Sequence, residues 1–240
     1  MTDFETITVP ARLCGYPGVA FGGYVAGVLA ARAAAPTVRV DFRRPVPTGS
    51  PVRLAATAGG GVELTDGTAL LAAAVPAEPP AEAPPAPSWD QASAAADAFR
   101  AAPPDGGVDC FGCGLDRTPD TGLRLHCGRV PGTGLVGAAW TPGPDLADAD
   151  GLLPPELVWG ALDCPGNAAG RLLDDRKAGA VTAALTARLL RPVPVGGGGL
   201  VSYAWLLGSE GRKYRVGTAL ATADGELCAL GEALWVEPRG

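Results

Sequence analysis

The sequence predicts an α+β fold of two similar units in tandem, each a small-residue helix followed by an antiparallel meander. Three observations carry this. The alternating segment Val38-Arg39-Val40-Asp41-Phe42 leads into Arg44-Pro45-Val46-Pro47, and Val181–Leu190 leads into Arg191-Pro192-Val193-Pro194. Each copy follows a glycine- and alanine-rich stretch that reads as a helix, and each precedes further alternating segments. A proline-rich break lies between them, and 240 residues suit two units of about 120.

Residues 1–87 read as the first unit. Thr6-Ile7-Thr8-Val9 is a short strand. Gly22 to Ala35 has no proline, so it reads as a helix that Pro36 stops. Val38–Phe42, Val52–Ala58 and Ala69–Val75 alternate as strands, with turns at Thr48-Gly49-Ser50 and Asp66-Gly67. Pro76, Pro79, Pro80, Pro84, Pro85 and Pro87 make the stretch that follows extended and semi-rigid. Residues 88–109 are a linker with a short helix, capped by Ser88 and running from Trp89 to Ala101. Residues 110–240 read as the second unit. Strands Gly122–Gly128 and Gly134–Trp140 pair around Pro131-Gly132-Thr133, and a helix follows from about Pro154 to Asp174. Val181–Leu190, Leu200–Leu207, Tyr214–Thr222 and Leu227–Val236 then form a meander, with Asp224-Gly225 as a type I′ hairpin signal.

Composition narrows the function. A hydrophobic fraction of 47% supplies a core. A net charge of −6 argues against nucleic acid, whose binding needs clustered Lys and Arg. No apolar run reaches about 18 residues, so no membrane span is expected. Met1-Thr2-Asp3-Phe4-Glu5 is acidic and polar, unlike a signal peptide, which points to the cytoplasm. There the six cysteines are expected as reduced thiols. The 35 glycines, 24 prolines and many alanines suggest a GC-rich bacterial genome.

The order of elements resembles the hotdog fold, in which a curved antiparallel sheet wraps one central helix. Phe21-Gly22-Gly23 before an apolar helix resembles the His-Gly-Gly helix start of hotdog acyl-CoA thioesterases, with Phe21 in place of the histidine. The two Arg-Pro-Val-Pro segments resemble the turn after that family's second strand. Cys110-Phe111-Gly112-Cys113-Gly114 followed by Gly122-Leu123-Arg124-Leu125 resembles the opening of single-domain members of the phenylacetate-thioesterase-like group. The resemblance covers most of both halves except residues 76–109. It implies two tandem hotdog units paired as a pseudo-dimer, with a further homodimer left open. It also implies hydrolysis of an acyl thioester, on coenzyme A or an acyl-carrier protein, without a cofactor.

In that family a carboxylate on the central helix attacks the thioester or activates water, and a backbone N–H at the start of the opposite unit's helix polarises the carbonyl. The acid lies eight residues after the first glycine of the pair. Eight residues after Gly22 is Ala30, which has no acid; the matching residue of the second unit is Asp163. The second unit's matching glycine position is Pro155, which has no N–H. The two defects are complementary, so one composite site remains and its mirror image is dead. The resemblance makes Asp163 the base or nucleophile and Asn167, one turn on, its positioning partner. Gly22 and Gly23 become the carbonyl donors, with Tyr24 and Trp159 as further substrate-binding positions. On a helical projection Val158, Ala161, Leu162, Pro165, Ala169 and Leu172 share the sheet-facing stripe, and Asp163 points away beside Glu156, Asn167 and Gly170. Pro165 is expected to kink the helix just past the acid.

Each site residue also has a bland reading. An Asp off the apolar stripe is ordinarily solvated, and paired glycines serve close packing or a helix start. Cys110, Cys113, His126 and Cys127 have half of a zinc-ligand spacing, but adjacent strand residues point to opposite faces, so no metal is expected. Cys164 reads as a small buried residue. The alternative function is a non-catalytic hotdog protein that binds an acyl thioester or a small apolar ligand. Hydration or dehydration on this fold needs a histidine, and neither central helix contains one.

Overall fold

Strand alternation, helix-stopping prolines and close-packing glycines set the architecture. The computed structural model describes residues 4–239; Met1-Thr2-Asp3 of the acidic N-terminal stretch and Gly240 lie outside them. The first half runs β1 (Phe4–Thr8), β2 (Cys14–Tyr16), β3 (Val19–Ala20), α1 (Gly22–Ala30), β4 (Thr37–Phe42), β5 (Pro51–Ala56), β6 (Val62–Asp66) and β7 (Ala69–Pro76). Next come α2 (Trp89–Ala101), β8 (Gly128–Val130), β9 (Leu135–Trp140), α3 (Pro155–Leu173), β10 (Val181–Leu189), β11 (Leu200–Glu210), β12 (Lys213–Thr222) and β13 (Leu227–Val236). No helix among the described residues is long and apolar enough to cross a membrane.

Eleven strands form one sheet, ordered β1-β5-β6-β7-β4-β10-β13-β12-β11-β9-β8. Its centre is the antiparallel pair β4–β10, in register from Asp41↔Ala184 to Thr37↔Arg188. The two repeated strands of the sequence are therefore neighbours, and they join the two halves into one ladder. Helices α1 and α3 meet against the sheet, in one shared core. A Cβ on Gly27 would lie 2.4 Å from Glu156 Cα, and one on Gly23 would lie 2.7 Å from Gly160 Cα. Only glycine permits so close a crossing, and it brings the middle of α3 onto the start of α1.

Helix α2 covers the other face of the second half. Ser88 and Gln91 close a reciprocal capping box at its start. Its Ala92 and Ala95 pack with Val201 and Tyr203 of β11 in a separate small core. Leu200 and Ala204, at the alternate positions, face the main core.

Several expectations change. Helix α1 ends at Ala30, and Arg32 and Ala33 turn back onto Leu29 and Ala30. The segment 122–127 is not a strand: Leu123 and Leu125 donate their N–H groups to Phe111 and Gly112 of the cysteine turn, and Arg124 sits at φ 58. β6 fills a stretch left without a strand, pairing β5 with β7. The Asp224-Gly225 turn is not type I′, because Asp224 lacks positive φ; Gly225 N–H donates to Thr222 O and Gly225 alone is left-handed, at φ 86. Helix α3 runs unbroken through Pro165. Proline leaves the Ala161 carbonyl without its usual donor, and Ser202 Oγ, fully buried on β11, donates to that carbonyl at 2.7 Å.

Candidate active site

The glycine crossing decides where Asp163 goes. Its carboxylate, 2% exposed, reaches the N-terminus of α1, where Gly23 N–H donates to Oδ2 at 2.8 Å. This amide is one of the first-turn donors that an α-helix cannot satisfy internally, at the positive end of its dipole. Thr182 Oγ donates to Oδ1 at 2.7 Å. Thr182 is the second residue of β10, and the register slip between Thr182 and Ala184 marks a bulge beside it. Burial nevertheless dominates: it pushes the Asp163 carboxyl up to about 7, the Thr182 and Gly23 hydrogen bonds pull it down, and a thiolate at Cys110, when formed, pushes it up.

Asp163 forms part of the wall of a cavity of about 570 Å³ with a mostly apolar lining. Gly22 and Asn167 line it, with Tyr16, Phe21, Phe42 and Trp235 as its aromatic walls. The exposed Arg43 and Arg44, at the end of the repeated strand β4, also line it. Asn167 Oδ1 is buried and has no hydrogen-bond partner among the described residues.

Of the residues singled out from sequence, Asp163, Asn167 and Gly22 meet at this cavity, and Gly23 touches Asp163 from behind it. Tyr24 is half-buried against the core, and Trp159 is buried beneath Gly23 and Gly27; neither lines the cavity. Gly170 faces Tyr214 of the sheet rather than α1. The curved sheet wraps α3, so one angular face meets different neighbours along the helix. Thr182 was missed because a threonine near the start of a strand carries no catalytic signature.

His126 lies outside the cavity lining, stacked on Phe99 with its ring nitrogens near Arg100 and Gly114 O. Cys127 is fully buried. Neither joins Cys110 and Cys113. Cys164 does: the Sγ atoms of Cys110, Cys113 and Cys164 lie within 4.8 Å of one another. Gly112 admits this approach, since a Cβ there would stand 2.4 Å from Cys164 Sγ. All six cysteines are free thiols.

No protein-family model matches the sequence, and no curated protein matches it. Solved structures do. The dehydratase domain of a mycocerosic acid synthase-like PKS is similar at TM-score 0.67 and 16% identity, over 98% of this chain and 91% of that one. An acyl-CoA thioesterase II, TesB2, from Mycobacterium marinum is similar at TM-score 0.59 and 15% identity, over 99% and 93%. A protein with a hot dog fold from Alicyclobacillus acidocaldarius is similar at TM-score 0.55 and 12% identity, over 99% and 94%. Full-length likeness at such low identity speaks for architecture, and with the antiparallel sheet curved around its helices it establishes that this chain has the hotdog fold.

Proposed function

We propose that residues 1–87 and 110–240 are two hotdog units paired as a pseudo-dimer, and that the chain hydrolyses an acyl thioester at one composite site between them. The observation that carries this reading is the 2.8 Å hydrogen bond from Gly23 N–H to Asp163, which joins the helix start of one half to the carboxylate of the other. The acyl group occupies the apolar cavity. Arg43 and Arg44 at its rim suit the phosphates of coenzyme A or of a carrier protein's phosphopantetheine.

The ionised Asp163 takes a proton from water, which attacks the thioester carbon, or attacks that carbon itself. Charge then develops on the carbonyl oxygen. With Gly23 committed to Asp163, the Gly22 amide at the positive end of α1 is the donor left to stabilise that charge. Asn167 Oδ1, still unpaired, orients the water or an amide of the substrate. The thiolate leaves and, on the water route, takes up the proton held by Asp163; on the direct route water then hydrolyses the acyl anhydride on Asp163 and regenerates the carboxylate. The likeness to an acyl-CoA thioesterase II supports hydrolysis, and the placement of His126 away from the cavity disfavours the dehydratase chemistry named for the other neighbour.

Steady-state hydrolysis of short, long and aromatic acyl-CoA and carrier-bound thioesters tests the reading. Asp163→Asn is expected to lower kcat by about 10²- to 10⁴-fold. Ala30→Asp is expected to create no second site, because Pro155 supplies no amide. The engagement of Gly23 N–H by Asp163 favours one other reading, a non-catalytic binder. Binding of a thioester without turnover by the wild type would establish that instead.

A further inference from the structure

We propose that Cys110, Cys113 and Cys164 form a binding site for a thiophilic d¹⁰ metal ion, Zn²⁺ in the first instance, at the wall of the cavity. The proposal concerns metal binding alone and does not depend on hydrolysis. It reverses the expectation from sequence, in which Cys110 and Cys113 share a ligand set with His126 and Cys127 and four-ligand closure is awkward. The fold supplies a different third ligand, Cys164 of α3.

Three features of the cluster suit a metal. The first is spacing. Cys110 Sγ and Cys164 Sγ are 3.8 Å apart, and thiolates around a tetrahedral zinc, with Zn–S near 2.3 Å, stand about 3.8 Å from each other. The three sulfurs lie within 4.8 Å of one another, so closure needs only small side-chain rotations.

The second is the turn. Gly112 N–H donates to Cys110 Sγ at 3.3 Å, and Gly114 N–H donates to Cys110 O at 2.7 Å. An amide aimed at the first sulfur of a tight Cys-x-x-Cys-Gly turn offsets thiolate charge and fixes the ligand's orientation, as an outer-shell hydrogen bond does in metal sites. The turn is itself anchored, since Phe111 N–H donates to Cys14 O, and Leu123 and Leu125 donate back to Phe111 and Gly112.

The third is access. Cys113, Cys164 and Asn167 line both the 570 Å³ cavity and a neighbouring one of about 410 Å³. An ion can therefore reach the thiols. Three protein thiolates leave a fourth tetrahedral position for water or for a small thiol from the cavity, the open arrangement of three protein ligands plus one exchangeable ligand. Binding releases the thiol protons to solvent and involves no change in oxidation state, so no oxidant or reductant is needed.

The test uses the full chain, purified under reductant, stripped with a chelator and titrated with Zn²⁺ against a chromophoric competitor. One equivalent per chain is expected, and Co²⁺ in its place should give sulfur-to-cobalt charge-transfer absorption. Cys164→Ser should weaken Zn²⁺ binding by about 100-fold or more, above the loss typical of an outer-shell change, whereas Cys14→Ser should leave it unchanged. A second readout needs no variant: Zn²⁺ should protect Cys110, Cys113 and Cys164 of the folded wild type from alkylation, mapped by mass spectrometry, and leave Cys14 reactive. Absence of stoichiometric uptake, equal affinity in Cys164→Ser, or protection that spares these three cysteines would overturn the proposal. So would a Cys110–Cys164 disulfide in protein that takes up no metal after reduction.

Discussion

Burial and hydrogen bonding pull the Asp163 carboxyl in opposite directions. A carboxylate that is 2% exposed has left water for two hydrogen bonds, and its folded pKa of about 7 stands above its ordinary 3.8. A raised acid contributes fully below its unfolded pKa, and that contribution is lost as pH rises through the folded pKa. In metal-free protein the chain should therefore lose stability between about pH 4 and pH 7, by about 4 kcal/mol from this group. Asp163→Asn can keep both partners, its oxygen accepting from Gly23 and its amide donating to Thr182. The variant should match the wild type in melting temperature at pH 4 and exceed it at pH 8, while losing turnover. Equal melting curves at pH 8 would show that the carboxyl is not held near 7. Turnover of the stripped wild type should in turn rise with pH through about 7, as the carboxylate forms. Asp163 was legible because its register could be counted from the glycine pair. Thr182 and Cys164 were not, because each acts through a partner distant in sequence.

At the scale of elements, α3 shows how a rule read from sequence is met elsewhere in the fold. Proline removes a donor from the helix interior, hence the expected kink. The structure instead satisfies Ala161 O from the sheet through Ser202. Ser202→Ala leaves that buried carbonyl unpaired and should cost about 1–3 kcal/mol in denaturant unfolding; a change within error would mean that the carbonyl has another partner. The crossing of α1 and α3 is equally specific. Gly27→Ala places a methyl group 2.4 Å from Glu156 Cα, so the helices must separate, at a cost of about 1–3 kcal/mol. Asp163 would move with them, so thioester turnover should fall even in folded variant protein. Helix and strand periods were readable along most of the chain. The boundaries that moved are those where a third segment competes for backbone hydrogen bonds, as the cysteine turn does for residues 122–127.

Across the whole molecule the seam between β4 and β10 governs independence. Residues 1–87 alone would expose the edge of β4 and the glycine face of α1. We expect this fragment to be insoluble or oligomeric, checked by sedimentation and hydrogen exchange; a stable monomer with cooperative unfolding would contradict the pairing. The repeat was visible in the sequence because the seam strands end alike, in Arg44-Pro45-Val46-Pro47 and Arg191-Pro192-Val193-Pro194. Its asymmetry was only partly visible. That Ala30 carries no acid and Pro155 no amide could be read directly, but not that α2 packs on β8, β9 and β11 of the second half.

The covalent connection across the seam touches neither Asp163 nor Gly23. Pro84 is the first residue of the proline stretch whose backbone the second half grips, its carbonyl accepting from Tyr203 Oη. A nick between Pro76 and Pro79 would thus leave the hydrogen bonds of Asp163 to Gly23 and Thr182 intact and turn one polypeptide into a heterodimer. Assembly would then depend on the concentrations of the two pieces, and the cavity at Asp163 would become a split reporter of whether its halves have met.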